Sequence, residues 1–143
     1  MRPLGTAIAL GESMKFQHAA VWIDHHEAKV FRIDAESFSE STIRAPHHHI
    51  RRFPEGPRTR EHPADEQHFF HNVACALDGA EEVLVVGPAS AKLEFMKHVR
   101  KHDRGLEPKI LGVETADHPT DGEFVDYVRR YFRAADRMRG TAP

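Results

Sequence analysis

Apolar residues change their period twice along this chain, and each change marks an element. Residues 19–24 (AAVWID) and 28–33 (AKVFRI) are short runs rich in β-branched and aromatic side chains. The HHE between them predicts a tight antiparallel pair. In the second run Ala28, Val30 and Ile33 alternate imperfectly with Lys29 and Arg32, so one face is expected to meet water. A third strand is expected over residues 37–44. From Asp65 the spacing turns helical: Phe69, Val73, Ala76 and Leu77 share a face, Phe70 lies alongside, and DGAEE ends the helix. EVLVVG is continuously apolar at 83–86, the pattern of a strand covered on both faces. After a GP turn, Ser90 is expected to cap a helix whose inner face is Leu93, Phe95, Met96 and Val99 and which stops at Gly105. KILGV (109–113) reads as a further short strand. TDGE has capping-box spacing at Thr120 and Glu123. It opens a last helix burying Phe124, Val128, Tyr131 and Phe132, which frays into DRMRGTAP.

This order predicts an α/β domain with three antiparallel strands first, then right-handed β-α-β-α units on the same sheet. A chain of 143 residues has the size of one domain, expected over residues 16–135. Residues 1–15 read as a loose N-terminal extension and 136–143 as a flexible tail. Hydrophobic residues make up 40% and charged residues 29%, which excludes a disordered or membrane-embedded class. The longest apolar run is far too short to span a bilayer, and TAIAL near the start is shorter than a secretory core. Cys75 is the only cysteine, so no internal disulfide can form and a reducing, cytoplasmic setting is expected. Within NVACAL it reads as a small buried hydrophobe.

The net charge of −2 argues against a generally basic nucleic-acid coat, but the charges are segregated. Residues 44–62 carry five Arg against two Glu, 92–104 five Lys or Arg against two acids, and 129–139 five Arg against one Asp. The first of these groups falls largely in PHHHIRRFPEGPRTREHP (46–63), whose four prolines predict a long connection without helix. Arg44, Arg51, Arg52, Arg58 and Arg60 are spaced irregularly, as phosphate contacts from a loop that orders on binding would be, and Phe53 is placed to stack on a base. His47, His48 and His49 would add charge at low pH. With all twelve histidines protonated, the formal charge of the chain would move from −2 to +10.

Metal chemistry has its own candidates. His47, His49 and His62 could capture an ion, and His68 and His71 are three apart on a predicted helix. Adjacent histidines on an extended segment point to alternate sides, which does not build a closed tetrahedral set, so no dedicated metal or cofactor is expected. Asp24 ends the first strand, where ribonuclease-H-like nucleases place a metal-binding carboxylate. Two-metal chemistry needs a second carboxylate, and the end of the EVLVVG strand supplies Gly87 and Pro88 instead. A turn-forming role for Asp24 is the simpler expectation. The GPAS turn has one glycine and lacks the lysine of a P-loop, so it reads as a plain strand-to-helix turn.

The segments HAAVWIDHHEAKVFRI, EVLVVGPASAKLEFMKHV and KILGVETADHPTDGEFVDYV, together spanning roughly residues 18–132, resemble the central domain of archaeal and eukaryotic class-one peptide-release factors and of the ribosome-rescue protein Pelota. They are closer still to small bacterial proteins grouped with that family as translational machinery proteins. The resemblance implies a mixed five-stranded sheet of the ribonuclease-H-like, translational-machinery-component architecture. In release factors the long connection after the third strand carries a Gly-Gly-Gln motif. Here that connection has no Gly-Gly-Gln: Gly56 stands alone and the nearest glutamine is Gln67. No catalytic residue carries over, and peptide release is not expected. The resemblance implies a non-enzymatic accessory protein of translation, with the ribosome or a structured RNA as partner. A metal-dependent hydrolase built on Asp24 and the loop histidines, and a protein-interaction module, are the alternatives. Oligomeric state is left open.

Overall fold

The two runs with no polar interior positions become the centre of the sheet. The computed structural model describes residues 16–46 and 63–138. Its elements are β1 (Phe16–Ile23), β2 (Glu27–Ile33), β3 (Phe38–Arg44), α1 (Pro63–Leu77), β4 (Ala80–Gly87), α2 (Ala91–His102), a 3-10 turn (Arg104–Lys109), β5 (Ile110–Thr115) and α3 (Asp121–Met138). The sheet order is β3-β2-β1-β4-β5. β1–β2 and β2–β3 pair antiparallel, while β1–β4 and β4–β5 pair parallel. This is the expected mixed five-stranded α/β sheet with an antiparallel start.

Both faces of the sheet are covered. Ala19, Val21, Ile23, Val83 and Val85 pack with Phe69, Phe70, Val73 and Leu77 of α1 and Phe95, Met96 and Val99 of α2. Ala20, Trp22, Leu84 and Val86 pack on the opposite side with Phe124, Val125, Val128 and Phe132 of α3. Continuous apolar sequence in β1 and β4 follows from this, since consecutive side chains alternate between two helical layers.

β2 departs from expectation for the same reason. Ala28 and Val30 face α1 and α2, whereas Phe31 and Ile33 face α3, so neither side of the strand is given over to water. Its two cations reach partners at the rim. Lys29 Nζ lies 3.3 Å from Asp121 Oδ1, and Arg32 Nη2 donates to the Ala76 carbonyl at 3.0 Å. Among the described strands only β3 is largely exposed, as an edge strand whose Phe38 is 42% accessible.

Three expectations for α2 are corrected. Leu93 is 55% exposed, because the buried face of α2 runs through Ala91, Lys92, Phe95, Met96, His98 and Val99. Lys92 takes part with its aliphatic stem and donates from Nζ to the Ala89 carbonyl. Ser90 sits at the N-cap with helical φ and ψ, its hydroxyl 3.4 Å from Glu94 Oε2 and capping no backbone N–H. The helix ends at His102, where the Asp103 N–H bonds the Val99 carbonyl, ahead of Gly105. The capping box forms as expected: Thr120 N–H donates to Glu123 Oε1 at 3.0 Å, and Glu123 N–H to Thr120 Oγ1 at 3.2 Å. In α3 Val125 is buried, Tyr131 only partly so, and the helix continues through Met138.

Two glycines make close approaches possible. A Cβ on Gly87 would press into the Ile23 carbonyl, well inside the 3.0 Å that real Cβ atoms hardly ever cross. A Cβ on Gly112 would meet the Tyr131 hydroxyl in the same way, so the bare backbone of β5 gives that ring its seat. Burial, with the Glu114 carboxylate adding to it, pushes the phenols of Tyr127 and Tyr131 above their ordinary range.

Candidate functional site

Asp24 forms the β1–β2 turn. Its Oδ1 accepts from the backbone N–H groups of His26 (2.8 Å) and Glu27 (2.9 Å), and its own N–H reaches the Glu27 carbonyl at 3.0 Å. This is the side-chain-to-backbone turn that aspartate favours, and it commits the carboxylate. Among the described residues, the ion-pair partner of the other oxygen is His118 Nε2 at 3.8 Å. Among the described residues no second carboxylate joins Asp24 in a metal-binding group.

His118 belongs to a shallow hollow on the α3 face, lined also by Trp22, Lys29, Phe31, Asp121 and Phe124. Its ring lies 4.3 Å from that of Trp22, whose indole N–H donates to the Asp117 carbonyl at 2.9 Å. Lys29 is paired here to Asp121.

Arg44, at the end of β3, is the one predicted RNA contact within the described residues. It stands opposite Glu27 in the β2–β3 register, its Nη1 3.4 Å from Glu27 Oε1, yet 78% of its side chain is exposed. A pair this open to water is screened and leaves the guanidinium available to another anion. His47, His48, His49, Arg51, Arg52, Phe53, Arg58, Arg60 and His62 lie outside the described residues.

The other basic segments are partly spent on internal contacts. Arg129 Nη2 donates to the carbonyls of Asp34 (2.9 Å) and Ser37 (3.0 Å), clamping the β2–β3 turn to α3. Arg130 pairs with Asp126 at 2.6 Å, and Arg100 Nε with Glu107 at 3.5 Å. Lys97, Lys101, Arg104, Arg133 and Arg137 are exposed.

A cluster not foreseen from sequence joins α1 to the end of α2. His98 is buried, with Nε2 2.6 Å from Asp103 Oδ2 and Nδ1 2.9 Å from Gln67 Oε1. His71 Nδ1 approaches the same carboxylate, 3.1 Å from Oδ2 and 3.2 Å from Oδ1. Burial alone would raise the Asp103 carboxyl, but hydrogen bonding and charge from His71 and His98 outweigh it and hold it below the usual carboxylate range. Cys75, expected to be buried, is exposed, and its Sγ lies 3.4 Å from His71 Nε2. The buried face of α1 runs through Phe69, Phe70, Val73, Ala74 and Leu77, which leaves Cys75 on the outer side. His68 is exposed and stands outside the group.

Among the described residues, three helices on the two faces of a mixed five-stranded sheet define the class: an α/β domain with an antiparallel beginning and a parallel end. Within that class the fold is similar to Pelota. Over 90% of this chain and 35% of the other, it superposes on Pelota of Archaeoglobus fulgidus with a TM-score of 0.59 at 17% identity. Pelota of Thermoplasma acidophilum gives 0.56 at 17% identity, over 83% of this chain and 34% of that one. The chain thus spans about a third of the length of these structures and has the fold of a Pelota-like domain. No family model and no curated protein matches it. Among the described residues, no helix is long and apolar enough to cross a membrane.

Proposed function

We propose that this protein is a non-catalytic, cytoplasmic accessory factor of translation that binds ribosomes or structured RNA through the connection between β3 and α1. The observation that carries this reading is a juxtaposition: a Pelota-like sheet whose third strand leads into a stretch with five arginines against two glutamates over 44–62. The connection lacks Gly-Gly-Gln, so the reading is of docking and not of peptide release. Arg51, Arg52, Arg58 and Arg60 make the phosphate contacts, with Arg44 at the base of the arm, Phe53 stacking on a base and His47, His48 and His49 adding charge as pH falls. Asp24, committed to its turn, gives no support to a metal-dependent hydrolase.

The test is retention of ribosomes and structured RNA from lysate across a salt series, beside the variant with those four arginines replaced by alanine. Four phosphate contacts make affinity fall roughly 50- to 150-fold between about 50 and 200 mM salt, and the variant should flatten that slope. Equal retention by the variant and the parent protein refutes the assignment.

A further inference from the structure

The cluster between α1 and α2 is built differently from an ordinary surface ion pair. His98, with 4% of its side chain exposed, meets an oxygen at each ring nitrogen: Gln67 Oε1 at Nδ1 and Asp103 Oδ2 at Nε2. Gln67 holds one ring nitrogen while the other meets the carboxylate at 2.6 Å, so the imidazole is fixed from both sides with Nε2 aimed at Asp103. His71 repeats the pattern from the other side. Its Nε2 has the Cys75 sulfur as a partner, and its Nδ1 points at the same carboxylate. In both rings the remote nitrogen is engaged and the near nitrogen converges on Asp103, the outer-shell pattern that orients histidines around a metal.

We propose that His71 Nδ1, His98 Nε2 and the Asp103 carboxylate bind one divalent cation of the zinc class. The three donor atoms lie within 4.8 Å of one another. Metal bonds of about 2.0–2.2 Å require ligand atoms roughly 3.3 Å apart in a tetrahedron, so small side-chain adjustments close the site. Two imidazoles and one carboxylate select a zinc-like ion over magnesium or calcium, which take oxygen ligands. His71 has 51% of its side chain exposed, which leaves the fourth position open to water. Cys75 contacts the remote nitrogen of His71 and acts as a positioning residue, outside the coordination sphere. The ion would tie α1, which follows the basic connection, to the end of α2.

The experiment is calorimetric titration of tag-free, chelator-treated full-length protein with Zn²⁺, repeated with Mg²⁺. Three variants accompany it: His71→Ala, Asp103→Asn, and His47, His48 and His49 replaced together by alanine. His71 is exposed, so its variant should keep the fold, which circular dichroism checks. The expected result is a one-equivalent Zn²⁺ event, weakened about tenfold or more by His71→Ala and by Asp103→Asn and unchanged in the triple variant. Co²⁺ should show the visible bands of a four-coordinate site, and these should vanish in His71→Ala. Absence of Zn²⁺ binding, binding indifferent to His71→Ala and Asp103→Asn, binding lost only in the triple variant, or equal binding of Mg²⁺ would each overturn the proposal.

Discussion

Replacing Gly87 with alanine tests whether the β1–β4 contact sets the geometry at the centre of the sheet. The added methyl would point into the Ile23 carbonyl, inside the 3.0 Å limit, with Ile23 C at 3.4 Å and Lys92 Cβ at 3.7 Å closing off lateral escape. Relief through a side-chain rotamer is impossible, because the obstacle is backbone. The central strands would have to part by roughly 1 Å in an interior packed like a crystal. Overpacking of this kind costs about 1–3 kcal/mol. Lengthening one or two ladder hydrogen bonds adds about 0.5–1.5 kcal/mol each, for a total of about 1.5–6 kcal/mol. Urea unfolding followed by Trp22, the single tryptophan and 3% exposed, reads this directly. With a slope of ~2 kcal/mol/M the midpoint should fall by about 0.8–3 M. Gly122→Ala is the matched control: its Cβ meets nothing within 4 Å, and its place in the first turn of α3 favours alanine by up to about 1 kcal/mol. If Gly87→Ala unfolds at the parental midpoint while Gly122→Ala raises it, the packing argument is wrong.

Two further outcomes follow from groups on α3. The protein has only two tyrosines, Tyr127 and Tyr131, and burial with Glu114 beside them raises both. Both phenols are neutral in either state below about pH 10, and above it the unfolded chain ionises first, so stability falls as pH rises from there through the folded values. Ultraviolet titration of tyrosinate should show midpoints above about 10 that move part of the way back in Glu114→Gln; an unmoved midpoint removes Glu114 from the account. Thr120→Ala breaks one half of the capping box and should cost about 0.5–2 kcal/mol, a fall in Tm of a few degrees, whereas Thr120→Ser should hold the parental value.

Much of the architecture was legible because β1 and β4 are buried on both sides and the last helix begins with a reciprocal cap. β2 was misread because Lys29 and Arg32 sit on covered faces and reach carbonyl or carboxylate partners at the rim, a tertiary solution that strand alternation cannot encode. Leu93 and Cys75 show the same limit for helices, since the helix phase is set by what packs underneath. His71 drew notice only as one of a helical pair with His68; its actual partners come from α2 and the turn after it, which no local motif links. The arginine-rich connection was conspicuous in composition, and only Arg44 of that group falls within the described residues.

The connection between Arg44, where β3 ends, and Pro63, where α1 begins, starts from a border strand and not from the middle of the sheet. For a connection between elements in general, doubling the length adds only about 0.6 kcal/mol of closure entropy. Natural variation can therefore rewrite, lengthen or trim this stretch at almost no thermodynamic penalty, so one scaffold can be refitted for different tasks without relearning how to fold.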